Sequence, residues 1–286
     1  MCEKINMGCK KLDDNIEKQL VQEYIDGCPI EAIMKKYGFA SKKSIYDKIK
    51  KYYPSSYKEI IQTGRRNRKK YSLNVEIINS NFIGYFIGLM ITDGYIVNNK
   101  VGISLCDEDC IKFIAEATNN DYHQYHYDDN KKIIYRIIFS DSLLAKQLER
   151  FGITERKSHI IPYLKLLPEE NQYIPYVIRG IIDGDGCIYK TTENTVGFYI
   201  CTMSYEFAKW IKDTLENKMF MADINISQQK SGIWIVGSSL QTNIFKLMAI
   251  VYDRPYGMSR KYNTLRKMFR DYNKNNQQNF IWNDVD

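Results

Sequence analysis

The sequence predicts an α+β protein made of two pseudo-symmetric αββαββα repeats, preceded by a small all-α module. Three observations predict it. An apolar, helix-length run ending in Asp93-Gly94 returns later in the chain as a second run ending in Asp185-Gly186. The same order of strand-like and helix-like segments follows each run. The copies also close alike, on Phe151-Gly152-Ile153-Thr154-Glu155-Arg156-Lys157 and on Tyr256-Gly257-Met258-Ser259-Arg260-Lys261.

The all-α module is expected over residues 1–53. A first helix, from about Asn15 to Asp26, places Ile16, Leu20, Tyr24 and Ile25 on one face and stops at Gly27-Cys28-Pro29. A second, Ile30 to Tyr37, turns Ile30, Ile33, Met34 and Tyr37 inward, with Gly38 as its terminator. Ser41 is placed to cap a third, Lys42 to Tyr52. Helix, short turn and basic helix make a helix-turn-helix, whose last helix can enter a major groove. Its outward residues would be Lys42, Lys43, Tyr46, Asp47 and Lys50. Pro54 and Ser55-Ser56 break the pattern, so residues 54–72 read as a basic linker. That linker carries Arg65, Arg66, Arg68, Lys69 and Lys70, an arm able to follow phosphates.

The first half should occupy 73–168 and the second 169–286. In the first, a helix from Asn81 to Thr92 precedes strands near 101–105, 122–127 and 133–139, with helices near 107–118 and 141–151. In the second, a helix from Tyr173 to Gly184 precedes strands near 196–200, 223–228 and 232–237, with helices near 204–216 and 239–252. A duplicated unit within one chain implies a pseudo-two-fold axis and needs no second copy, so a monomer is expected.

Composition narrows the function class. No run of 18 uncharged apolar residues exists, so no membrane span is expected. The N-terminus lacks the apolar run of a secretory signal. Seven scattered cysteines without a CxxC pair point to reduced thiols in an intracellular, reducing compartment rather than to disulfides or zinc. A net charge of +7 mildly favours a polyanionic partner. The clustering of basic residues between Lys42 and Lys70 favours it more strongly.

The two apolar helices carry the chemistry. The first reads Phe86-Ile87-Gly88-Leu89-Met90-Ile91-Thr92-Asp93-Gly94 and the second Ile178-Arg179-Gly180-Ile181-Ile182-Asp183-Gly184-Asp185-Gly186. Gly88 with Thr92, and Gly180 with Gly184, put small residues four apart on one face. Two helices can then meet backbone to backbone, while Phe86, Leu89, Ile181 and Ile182 bury around them. Gly94 and Gly186 are expected to end the helices in a left-handed conformation. These runs resemble the paired motifs of single-chain LAGLIDADG homing endonucleases, over roughly residues 75–270, including "GITERKS" and the final "RKY".

The resemblance implies a saddle over DNA, with Asp93 and Asp185 as catalytic, metal-binding acids. Two carboxylates at helix C-termini repel each other and the helix dipoles, and a hard divalent cation relieves both effects. Mg2+ is the expected cofactor, with Mn2+ or Ca2+ able to substitute. The freed carbonyls of Thr92 and Gly184 could add ligands. Lys157 and Lys261, at matching positions, are candidates for polarising solvent or offsetting phosphate charge. The implied partner is double-stranded DNA with a long asymmetric target, cut on both strands across the minor groove to leave short 3′ overhangs. The strands would lie along the major groove. Candidate contacts are Tyr95, Asn98, Lys100, Tyr125, Lys132 and Arg136 in the first half. In the second they are Tyr189, Lys190, Thr192, Tyr199, Gln228 and Lys230.

The pattern departs from the family at Ile91, where many members carry an earlier acid that Asp183 keeps in the second copy. The alternative reading is a non-cleaving binder on the same scaffold, either an intron-RNA maturase or a transcription regulator. Retention of both aspartates argues against it. The chain ends without the His-Asn of a splicing domain, so an intein-embedded nuclease is not expected.

Overall fold

The computed structural model describes residues 12–67, 73–127, 132–157, 160–192 and 195–275. The chain divides into two compact units, Met1–Ser72 and Leu73–Asp286.

The first unit contains α1 (Asp14–Ile25), α2 (Ile30–Tyr37), α3 (Lys42–Tyr52) and α4 (Tyr57–Asn67). Leu20, Val21, Tyr24, Ile33, Ile45, Ile49 and Ile61 form its core. The buried face of α1 is Glu17, Leu20, Val21 and Tyr24, whereas Ile16 is 40% exposed. Expectation and structure differ here by a small rotation of the helix. It follows because Glu17 is drawn inward by Lys48, Lys51 and Tyr52, which all hydrogen-bond its carboxylate. Gly38 ends α2 at φ 70°, and Ser41 starts α3 without a side-chain capping bond.

The expected linker over 54–72 needs correction, because Tyr57–Asn67 is a helix docked on α1. Ile61 joins the core, and Tyr57 and Ile60 pack against it. Gly64 sits so close to Tyr24 that a Cβ there would lie 2.3 Å from its ring. Asn67 Nδ2 donates to the Ile25 carbonyl at 2.6 Å. The density of charge in this stretch hid the apolar stripe of Ile60, Ile61 and Gly64. Arg68, Lys69 and Lys70 lie outside the described residues.

The second unit holds two copies of one layout. The first copy runs α5 (Asn81–Thr92), β1 (Gly94–Val97), β2 (Lys100–Leu105), α6 (Glu108–Thr118), β3 (Tyr122–Tyr127), β4 (Lys132–Ser140) and α7 (Ser142–Leu148). The second runs α8 (Ile174–Asp185), β5 (Gly186–Thr192), β6 (Thr195–Thr202), α9 (Tyr205–Asn217), β7 (Asn225–Gln228), β8 (Trp234–Ser238) and α10 (Gln241–Lys246). A π-helical turn continues α10 over Leu247–Val251. The last helix, α11 (Ser259–Asn275), lies beyond the expected elements.

Each copy forms a four-stranded antiparallel sheet of the same strand order, β1-β2-β4-β3 and β5-β6-β8-β7. Registers match as well: Gly94 faces Ile103 in the first sheet, and Gly186 faces Ile200 in the second. One face of each sheet is buried under helices, through Val101, Ile103, Ile137 and Phe139 in the first and Val196, Phe198, Ile200 and Val236 in the second. Strand alternation leaves the opposite face open.

Helices α5 and α8 form the seam between the halves. The Ser80 hydroxyl accepts from Ile83 N to start α5, and every residue from Ile83 to Ile91 is buried. That helix is apolar all round because it is enclosed on every side. A Cβ on Gly88 would lie 2.1 Å from the Val177 carbonyl oxygen, and one on Gly180 would lie 2.2 Å from that of Tyr85. The two clashes are reciprocal, as a pseudo-two-fold axis between the helices requires.

Gly94 and Gly186 correct a second expectation. Neither takes positive φ, and Gly186 is extended at φ −86°, ψ 155°. Both follow their helices directly into a strand. Glycine is required there by space, since a Cβ on Gly94 or Gly186 would lie 2.6 Å from a carbonyl oxygen of the preceding turn, that of Met90 or Ile182.

Candidate active site

The seam brings the two aspartates together. Asp93 is the C-terminal cap of α5 and Asp185 is the last residue of α8. Asp93 Oδ2 lies 2.5 Å from the point where a Cβ on Gly184 would stand, so the carboxylate of one half overlies the helix end of the other. Burial and then the negative charge of Asp185 push the Asp93 carboxyl up to about 6. Asp185 is also raised, chiefly by burial, with Lys157 and Lys261 opposing. Thr92 Oγ1 bonds back to the Leu89 carbonyl at 3.0 Å and stays beside Asp93.

Lys157 and Lys261 lie under this pair, both buried. Lys157 Nζ donates to the carbonyls of Thr92 at 3.0 Å and Gly94 at 2.6 Å. Lys261 Nζ donates to Ile182 at 2.5 Å, Asp183 at 2.7 Å, Gly186 at 2.6 Å and Gly184 at 3.3 Å. Each ammonium thus fills the C-terminal end of one motif helix, where unpaired carbonyls and the dipole carry negative charge. Burial lowers both lysine pKa values and the neighbouring aspartates raise them. The protons of Lys261 are taken up by carbonyls, so what it presents to the neighbouring carboxylates is through-space charge. The carbonyls of Thr92 and Gly184 already accept from these lysines, and each keeps a second lone pair.

Asp183 is a buried neighbour whose partners the sequence does not reveal. It accepts from Tyr85 at 3.0 Å, Tyr252 at 2.8 Å, the Met258 amide at 3.1 Å and Arg179 at 3.4 Å. The Arg179 guanidinium stacks 3.7 Å from the Tyr252 ring centre and donates to the Val251 carbonyl. This network locks the turn carrying Lys261 against α8. The substitution Asp183→Asn replaces one acceptor oxygen with a donor facing donors. It is expected to lower unfolding free energy by about 2 kcal/mol, read by denaturant melts; an unchanged midpoint would refute the lock.

The open sheet faces carry half of the expected contacts. Cross-strand register puts Tyr95, Lys100, Ser104, His123, Tyr125 and Arg136 on the open face of the first sheet. Tyr95 lies flat over Gly102, whose Cβ would stand 2.3 Å from its ring. In the second sheet Tyr189, Tyr199, Cys187, Cys201, Ser227 and Ile235 face the same way. Tyr189 covers Gly197 as Tyr95 covers Gly102. Asn98, at φ 49°, turns the β1–β2 hairpin with Asn99, and Lys230 is exposed between β7 and β8.

Two candidates point elsewhere. Gln228 faces Trp234, whose ring meets Tyr205 of α9, so it belongs to the helix-covered side. Lys190 pairs with Asp271 of α11 at 2.8 Å. Both slips come from strand register, which a lone sequence does not specify. Of Lys132 and Thr192, backbone alone is described. In the first unit, Lys43 and Lys50 are exposed, Lys42 pairs with Glu31, and Tyr46 turns inward against Tyr24 with ring centres 6.1 Å apart. Arg65 is exposed, and of Arg66 backbone alone is described.

An open cleft of about 620 Å³ adjoins Asp93, lined also by Ser104, Asp107, Ile134, Gly184 and Arg260 among others. Solved structures similar to this chain are LAGLIDADG proteins. The I-LtrWI LAGLIDADG homing endonuclease bound to target DNA matches at TM-score 0.47 and 10% identity, over 71% of this chain and 92% of that one. Meganuclease I-SmaMI bound to uncleaveable DNA matches at TM-score 0.45 and 14% identity, over 73% and 92%. The N-terminal LAGLIDADG domain of DUF199/WhiA matches at TM-score 0.41 and 9% identity, over 62% and 86%. Among curated proteins, DNA-directed RNA polymerase subunit Rpo1C of Methanocaldococcus jannaschii is 28% identical over 106 residues. That match covers 36% of this chain, which spans 12% of the relative's length. No family model matches the chain.

The donor set fits a hard divalent cation. Two carboxylates held side by side, each favouring its proton, are a pair that a cation would relieve. The two carboxylates and the helix-end carbonyls of Thr92 and Gly184 offer oxygen donors. Among the described residues, no group of three or more His, Cys, Asp or Glu could hold a metal alone. Mg2+ is typically held in this way, by one or two carboxylates with water and substrate phosphate completing its shell.

Proposed function

We propose that this protein is a site-specific double-stranded DNA endonuclease that hydrolyses phosphodiesters with a divalent metal. The observation that carries the reading is the meeting of Asp93 and Asp185 at the seam, both disfavoured as free carboxylates. A pure binder gains nothing from such a pair. Asp93 and Asp185 would hold Mg2+, with the Thr92 and Gly184 carbonyls available as further oxygen donors; Mn2+ or Ca2+ could occupy the same positions. The cation would supply activation of a water molecule and charge relief at the leaving oxygen.

The chain's own residues do the rest. Lys157 and Lys261 hold the helix ends rigid and offset phosphate charge from beneath. The sheets lie along the major groove on either side, and the first unit adds contacts through Lys43, Lys50 and Arg65. The duplicated halves act as one monomer on a long asymmetric site, cutting both strands across the minor groove.

The test is a random-sequence duplex library incubated with the full chain and MgCl2, with recovery and sequencing of cleaved ends. Discrete double-strand breaks at a shared sequence are expected in Mg2+, and none in EDTA or with Asp93→Asn. Duplex retention without cutting in any divalent metal would overturn the enzymatic reading and leave a binder.

A further inference from the structure

Resting on the duplex-binding reading, we infer that Arg136 reads a guanine in one half-site, and that its counterpart Ile235 reads a thymine at the mirror-related position of the other. The correspondence follows from register. Gly94 pairs with Ile103 and Gly186 with Ile200, so Ser104 in the first sheet corresponds to Cys201 in the second. Ser104 pairs with Arg136, and Cys201 with Ile235. The next strand places His123 beside Arg136 and Ser227 beside Ile235. One location on the duplicated scaffold therefore carries Ser-Arg-His in the first half and Cys-Ile-Ser in the second.

Arg136 is braced for recognition rather than free to wander. Its Nε donates to Ser104 Oγ at 2.9 Å, and its guanidinium carbon lies 4.7 Å from the Tyr125 ring centre. Among the described residues no hydrogen bond engages its two terminal nitrogens. A planar fork fixed at one edge and stacked on an aromatic ring loses little freedom when it meets a flat acceptor pair. On the major-groove edge, guanine O6 and N7 are such a pair. Ile134, two residues away on the same strand, lines the cleft at Asp93, so the base read lies close to the scissile region.

The second half offers the opposite chemistry at the same place. Ile235 is half-buried, with Cys201 and Ser227 beside it, and no charged side chain occupies this register position. An apolar branched side chain in the major groove selects the thymine C5-methyl group. The halves thereby read their mirror-related bases differently, as an asymmetric target demands.

The test is a binding selection from a random duplex library with the full chain in EDTA, so that no cutting occurs. Enriched sites should show a G·C column in one half and a T·A column at its mirror position. Preference at the G·C column should exceed other bases by about 10- to 100-fold. In Arg136→Gln that column alone should flatten or move to A·T. Ile235→Arg should independently raise G·C at the mirror column, so the assignment stays testable if one variant fails to fold. A uniform affinity loss in Arg136→Gln with its column intact would show a phosphate contact and overturn the inference. Recovery of no enriched sequence would instead overturn the sequence-specific duplex-binding reading beneath it.

Discussion

Asp93→Asn and Asp185→Asn are each expected to lower double-strand cleavage by about 10^3-fold or more, since on the proposed function each would remove transition-state charge stabilisation worth several kcal/mol. The same variants should be more stable than the parent without metal. The Asp93 carboxyl stands at about 6 in the folded protein against 3.8 as its ordinary value. The folded state therefore binds this proton more tightly than the unfolded chain does. Parent stability falls as pH rises through about 4 to 6 and remains lowered above that window. Asp93→Asn removes the penalty, on the order of 2 kcal/mol, so its melting temperature at pH 8 should exceed the parent's by several degrees. Mg2+ should raise the parent's melting temperature and leave the variant's nearly unchanged. Equal melting temperatures at pH 8, with no Mg2+ effect on the parent, would show that the carboxylates do not meet under strain.

Gly88→Ala and Gly180→Ala should be strongly destabilising methyl additions. Each new Cβ would meet a backbone carbonyl oxygen of the opposing helix, at 2.1 Å and 2.2 Å. A flexible side chain could yield, but a carbonyl inside a buried helix cannot, so the helices must part. We expect a loss of about 3 kcal/mol or more, at or above the upper end of ordinary overpacking costs. Separation also moves Asp93 from Gly184, so cleavage should fall even below the unfolding temperature. Differential scanning calorimetry with a single-turnover cleavage assay checks both. A stability change under 1 kcal/mol would mean that the seam is looser than its geometry states.

Much of this arrangement was legible in the chain. The Asp93-Gly94 and Asp185-Gly186 endings, the small residues at Gly88 and Gly180, and the repeated element order follow from local pattern. Local pattern also stopped short in places. Asp183 is legible as the earlier acid that the first copy lacks at Ile91, but its partners Tyr85, Tyr252 and Met258 are remote in sequence. Strand alternation puts Gln228 and Lys190 on one of two faces without saying which is covered. The helix over Tyr57–Asn67 was hidden by its own charge, with the apolar stripe carried by few residues. In each case long-range pairing decided what composition left open.

The polar lock at the seam runs one way only. Tyr85 of the first half donates to Asp183 of the second. The corresponding positions, three residues before Gly180 and three after Gly88, hold Val177 and Ile91, both buried and apolar. Two first halves brought together would set the Tyr85 hydroxyl against isoleucine, with Cys110 left as its partner, and two second halves would set Asp183 against valine, with Tyr252, Arg179 and the Met258 amide of its own half still bound. Each half thus loses one buried hydrogen bond when it meets a copy of itself. The mixed pair is therefore the preferred one, and halves expressed as separate chains should choose each other over their own copies.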